Sequence, residues 1–233
     1  MKVVAQEWGG GTLRHETFAD GSGTARAAAI IFPTVVGVSD LERGFAERLV
    51  GRGHSVLIAD LYGRRFTPGV DREAAFAAMG ALQSDRAAMR ELLIGVLVEA
   101  RAQDEIDSDR IVAIGFCFGG QCALDLARSG VDIAGVASFH GLLDPPGLPP
   151  RPIKARVIAF HGWDDPLARP DSVAALGEEL TAAGCDWQIH GFGGVGHGFT
   201  NPGATGAIPG IQYHEAAARR SWAGLDQFLG EIA

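Results

Sequence analysis

Cys117 lies in Gly115-Phe116-Cys117-Phe118-Gly119, at the end of the β-rich run Ile111-Val112-Ala113-Ile114 and ahead of helix-forming sequence. A nucleophile presented on a sharp strand-to-helix turn has this layout, with sulfur where serine is usual. Glycines flank such a turn because side chains there would collide with strand and helix backbone. A thiolate in this position attacks carbonyl carbon. With 33 glycines and three cysteines in 233 residues, chance alone yields roughly 0.06 such motifs, so the strand before and the helix after must carry the reading. Cys122 and Cys185 do not have glycines on both sides and read as small buried apolar residues.

A thiol nucleophile needs a base, and the base needs an orienting acid. His197 stands in Gly193-Gly194-Val195-Gly196-His197-Gly198-Phe199, a glycine-rich loop after the last predicted strand. Asp165, in His161-Gly162-Trp163-Asp164-Asp165-Pro166, follows the strand before that and can accept the imidazole N–H. Asp164 is the competing acid, and the Asp-Pro step favours Asp165. The order nucleophile, acid, histidine is that of α/β-hydrolases. The backbone N–H of Phe118 and one from the loop after the first core strand, Val35, are the expected oxyanion donors. Thr34, Tyr62, His140, Trp163 and Phe199 are candidate pocket residues, and Arg72 is a candidate anion contact. His161 reads as a packed turn residue, and His15, His54, His190 and His214 as surface or edge residues.

The elements that must position these residues alternate. A hairpin over 3–8 and 13–18 opens the chain. Strands follow at 27–32, 55–59, 110–116, 133–139, 155–160 and 186–190. Helices are expected at 40–50, 72–102 with a break near Gly80, 119–128, 172–183 and 215–229. This alternation predicts a mostly parallel sheet with helices on both faces and the hairpin as an antiparallel edge. The Pro145–Pro150 run is an internal loop, because strand-helix alternation resumes unchanged after it, so residues 1–233 read as one domain. Gly191-Phe192-Gly193-Gly194-Val195-Gly196 matches a dinucleotide fingerprint, but no helix follows it.

Four segments resemble the dienelactone hydrolase family of α/β-hydrolases. They are Ala59-Asp60-Leu61-Tyr62-Gly63, Gly115–Gly120, His161–Pro166 and Gly196-His197-Gly198-Phe199. The resemblance implies an eight-stranded, mostly parallel sheet and a Cys117–Asp165–His197 triad that hydrolyses a lactone or ester without a cofactor. Two departures stand out. Dienelactone hydrolases proper carry a thiol-activating glutamate just after the first core strand, where this chain has Thr34. They also carry a substrate-binding arginine soon after the histidine, where this chain has Thr200-Asn201-Pro202. Thiol activation then falls to His197 alone, and the expected substrate is a small ester or lactone other than dienelactone.

Composition narrows the class further. Hydrophobic residues make up 47% and charged residues 21%, which suits a globular chain with a sizeable core. The net charge of −8 and the absence of a basic patch argue against a nucleic-acid partner. No apolar run reaches membrane-spanning length, and the first residues lack a signal-peptide pattern, so a reducing, cytoplasmic setting is expected. Three cysteines without paired spacing argue against a disulfide framework or a zinc site. Two other readings use the same residues: an acyltransferase or thioesterase on the same triad, and a non-catalytic redox or ligand-binding thiol on a hydrolase scaffold.

Overall fold

The computed structural model describes residues 1–19 and 27–232. Its strands, in chain order, are β1 (Lys2–Trp8), β2 (Gly11–Phe18), β3 (Ala28–Phe32), β4 (Val56–Ile58), β5 (Ile111–Phe116), β6 (Gly135–Phe139), β7 (Arg156–Gly162), β8 (Trp187–Phe192), β9 (Thr205–Ile208) and β10 (Ile211–Gln212). The helices are α1 (Asp40–Val50), α2 (Arg72–Ser84), α3 (Arg86–Arg101), α4 (Phe118–Arg128), α5 (Pro170–Ala182) and α6 (Glu215–Gly230). Eight strands form one sheet in the order β1-β2-β4-β3-β5-β6-β7-β8. Pairing is parallel from β4 through β8, and the β1–β2 hairpin joins β4 antiparallel. This is an α/β-hydrolase fold.

Why the central strands lie inside follows from their sequence. Ala28–Phe32, Ile111–Phe116 and Gly135–Phe139 have no polar alternation, and every residue is buried, as expected where helices cover both faces. The edge strand β8 instead alternates half-buried and exposed positions. One face packs Ile30, Phe32, Leu57 and Ala113 against residues of α3, α4 and α5, such as Leu93, Val96, Ala123 and Leu176. The other packs Ile31, Ile58, Phe116 and Phe139 against Phe45 and Leu49 of α1 and Trp222, Leu225 and Phe228 of α6. Each fully buried large side chain contributes about 1.5–3 kcal/mol of transfer free energy.

The long helix expected over 72–102 is two helices. The break falls at Asp85, with φ −131° and ψ 83°, where the carboxylate accepts from Ala88 N at 2.9 Å and caps α3. Gly80 stays inside α2. The β9–β10 ribbon had no counterpart in the sequence reading, because its strands are short, mostly exposed and glycine-interrupted. Two histidines expected at the surface are buried. His15 bonds through Nε2 to Gln6 Oε1 at 2.9 Å and accepts from Asp60 N through Nδ1 at 2.9 Å. His54 Nδ1 lies 2.7 Å from Ala27 O.

Candidate active site

Cys117 is the turn residue between β5 and α4. Its backbone has φ 57° and ψ −118°, a left-handed conformation that non-glycine residues rarely adopt. Such strain persists only where surrounding structure holds it, and here the turn is clamped. Cys117 N donates to Phe139 O at 3.0 Å, and Cys117 O accepts from Gly120 N at 2.9 Å. Glycine is required on both sides: a Cβ at Gly115 would strike the Gly119 carbonyl, and one at Gly119 the Phe32 carbonyl. The thiol is half-buried at the start of α4, where first-turn N–H groups have no helical acceptor and the helix dipole favours negative charge.

His197 reaches the site from the loop after β8. Its backbone is held by the β9–β10 ribbon: His197 N donates to Gly210 O at 2.7 Å, and Gln212 N donates to His197 O at 3.0 Å. A side chain at Gly196 would run into the Gly210 carbonyl. Asp165 sits in the turn after β7, and its Oδ2 lies 2.8 Å from His197 Nδ1. Its other oxygen accepts from Leu167 N at 2.8 Å, which fixes the carboxylate plane. Asp164 is exposed and its side chain takes no part. His197 is 4% exposed, and its Nε2 is buried with no partner among the described residues besides the Cys117 thiol. Burial disfavours its charged form, but charge on Cys117 and the Asp165 carboxylate outweigh that and push the pKa up to about 10. Cys117, His197 and Asp165 therefore form one electrostatically coupled group.

Around this group lie several unsatisfied polar atoms. His140, at the end of β6, also has a left-handed backbone, with φ 38°. Its Nε2 meets Thr200 Oγ1 at 2.8 Å, its Nδ1 has no partner, and its ring lies edge-on to His197 at 5.1 Å. Burial, then repulsion from His197, keeps it well below the usual histidine range, hence neutral. His161 is buried, and burial lowers its pKa too, against the pull of Asp165 and of a hydrogen bond to the Ala168 backbone. The Tyr62 hydroxyl is buried without a partner, and burial followed by charge on Cys122 and Cys117 raises its pKa. The Tyr62 ring stacks parallel to Phe118, with centroids 6.5 Å apart.

The remaining pocket candidates divide. Thr34 and Val35 follow β3 and are half-buried. Phe199 is a core residue, edge-on to His140 at 5.1 Å. Trp163 does not turn inward. It is 46% exposed, and its ring lies against Gly191 of the edge strand, in a groove shared with Trp187 and Ile189. Arg72 is exposed over the Phe76 ring.

One residue was missed. Thr34 marks the absence of a carboxylate in the loop after β3, yet a carboxylate reaches that loop from α1. Glu42 Oε1 accepts from Thr34 N and Thr34 Oγ1, both at 3.1 Å. Its Oε2 accepts from Ser39 N at 3.0 Å and Ser39 Oγ at 2.5 Å. Burial raises its pKa, opposed by these four bonds. Ser39 followed three residues later by Glu42 is a capping box, the sequence signal that could have found it. Glu42 ties down both ends of the segment that contains Val35.

Among the described residues there is no cluster of side chains suited to a metal ion, and no helix long and apolar enough to cross a membrane. Residues 16–233 match the sequence pattern described as the dienelactone hydrolase family. Carboxymethylenebutenolidase 2 of Cupriavidus pinatubonensis is 32% identical over 183 residues, which cover 73% of this chain and 72% of that protein. A solved structure named m3DLH is 34% identical, with a TM-score of 0.89 over 99% of this chain and 97% of its own. A dienelactone hydrolase-like promiscuous phosphotriesterase from metagenomic libraries is 30% identical, also with a TM-score of 0.89 over 99% of this chain and 97% of its own.

Proposed function

The chain belongs to the dienelactone hydrolase family and is a carboxylic ester hydrolase, and on that premise we propose that it cleaves small esters or lactones through Cys117, His197 and Asp165. The observation that carries this reading is the state of His197: Asp165 holds one ring nitrogen, the other is buried with no partner among the described residues besides the Cys117 thiol, and charge on Cys117 and a hydrogen bond to it favour the imidazolium.

In this mechanism the Cys117 proton passes to His197 Nε2. The thiolate attacks the carbonyl carbon, a C–S bond forms, and the carbonyl oxygen becomes an oxyanion. The N–H groups of Phe118 and Val35 receive that oxyanion, Phe118 being the first residue of α4 and Val35 lying on the segment fixed by Glu42. The C–O bond to the leaving alcohol breaks as imidazolium returns the proton to it, leaving a thioacyl enzyme. Water then attacks, His197 takes its proton, and the C–S bond breaks to release the acid. Asp165 orients the ring throughout and stabilises its charged form. Tyr62, His140 and Phe199 border this centre, and neutral His140 keeps a second positive charge away from His197. We place one catalytic domain over residues 1–233 and the protein in the cytoplasm, a reducing setting that suits three free cysteines.

The test is hydrolysis of a series of aryl esters and butenolide lactones by wild type and Cys117→Ala, with mass spectrometry of the quenched enzyme. A transient acyl adduct on Cys117 and loss of turnover in the variant are expected. Full activity without Cys117 overturns the assignment.

A further inference from the structure

A cavity lies away from Cys117, at the opposite end of α4. Its volume is about 830 Å³, and it is bounded by α3, the last residue of α4, the 143–153 loop and α5. Cys117 precedes α4 and Arg128 ends it, so the two sites are separated by about 16 Å of helix. The walls are largely apolar, with Leu143, Pro146, Leu148, Ile153 and Leu176 among them.

Its cations are not alike. Arg128 is satisfied by Asp125, Glu179 and the carbonyls of Leu143 and Asp144. Arg151 is exposed and donates to Ser129 O at 3.1 Å. Arg90 is different: it is 6% exposed, and its Nε is buried with no hydrogen-bond partner among the described residues. Burial weakens its charged form and Arg151 and Arg86 press on it, with only Asp125 and Glu91 in opposition. The Asp125 carboxylate is already bonded by Arg86 and Arg128, and Glu91 is exposed. Only Nε is sealed from solvent; the terminal nitrogens, which have no partner among the described residues either, remain accessible on a residue that lines the cavity. The missing partner is an anion, and the apolar walls call for a hydrocarbon body behind it.

We propose that this cavity is a binding site for a monocarboxylate with an apolar chain, its carboxylate paired with Arg90 and its chain lying along the 143–153 loop. One unpaired guanidinium calls for one negative charge, and the volume falls in the range of small-molecule sites.

Isothermal titration with octanoate and octanol tests this on wild type, Arg90→Met and Ala175→Trp. Ala175 is an exposed lining residue of α5, where a tryptophan fills the cavity without disturbing the core. Octanoate is expected to bind wild type, to bind Arg90→Met at least tenfold more weakly, and to be excluded by Ala175→Trp. Octanol should bind more weakly than octanoate and equally to wild type and Arg90→Met. Ester hydrolysis serves as the folding control, and if Arg90→Met does not fold, Ala175→Trp decides. Alkylation of Cys117 should leave octanoate binding intact. No octanoate binding, equal binding by wild type and both variants, or loss of binding on Cys117 alkylation overturns the proposal.

Discussion

His15 and His197 are both almost wholly buried, yet their pKa values move in opposite directions. His15, on β2 of the edge hairpin, has both ring nitrogens bonded to uncharged partners, Gln6 and the Asp60 N–H. Burial dominates there and lowers its pKa to about 4, despite Asp60 nearby. His197 has one nitrogen on a carboxylate and the other facing the Cys117 thiol, and its pKa rises to about 10. Burial alone therefore does not set the direction of a histidine's shift in this chain. The charge of the groups bonded to the ring does.

The largest effect separating the two is on turnover. His197→Ala should lower kcat/KM on an aryl ester by about 10³-fold or more, whereas His15→Gln should stay within about fivefold. Equal losses would erase the distinction. Asp165→Asn keeps the shape but removes the charge, and should cost about 10²- to 10⁴-fold in kcat while slowing iodoacetamide labelling of Cys117 at neutral pH.

The next effect is on stability. His15 titrates near 4 when folded and near 6.5 when unfolded, so the unfolded chain takes up its proton first as pH falls. The stability it contributes is complete above about pH 6.5 and is lost progressively down to about pH 4, a total of about 3 kcal/mol. Urea unfolding at pH 7 and pH 4.5 measures this, and His15→Gln should flatten the difference. Smallest is the loop anchor. Glu42→Ala leaves the N–H groups of Thr34 and Ser39 without an acceptor and should cost about 2 kcal/mol, with a several-fold fall in kcat from loosened oxyanion geometry. An unchanged kcat would detach Glu42 from the site.

Much of this was legible in the chain. Unbroken apolar runs such as Ile111–Phe116 mark strands covered on both faces, and the helix over Asp40–Val50 was also legible, though the residue that caps it is Ser39 and not Asp40. The elbow glycines stand where a Cβ would strike backbone, so their spacing around Cys117 carries geometric information. Other features were not legible. Asp85 breaks the 72–102 helix through its backbone conformation and its cap, while Gly80, the stronger local signal, lies in open space and is tolerated. Trp163 follows the strand that leads to Asp165, but the turn directs its ring outward to β8. His15 looked like an edge residue because its buried partners lie on β1 and after β4.

Local sequence by itself determined the order of the eight strands of the main sheet, the parallel core with its antiparallel edge, and the positions of Cys117, Asp165 and His197 after strands. Periodicity, turn chemistry and steric exclusion act over a few residues and leave their mark there. Only the tertiary structure decided that Asp165 rather than Asp164 meets His197, and that Glu42 supplies a carboxylate behind Thr34. It also decided that Arg90 is buried without a partner, and that His15 and His197 carry opposite shifts. Those outcomes depend on distances and desolvation between segments far apart in the chain, and electrostatic energy inside a protein is set by such through-space neighbours.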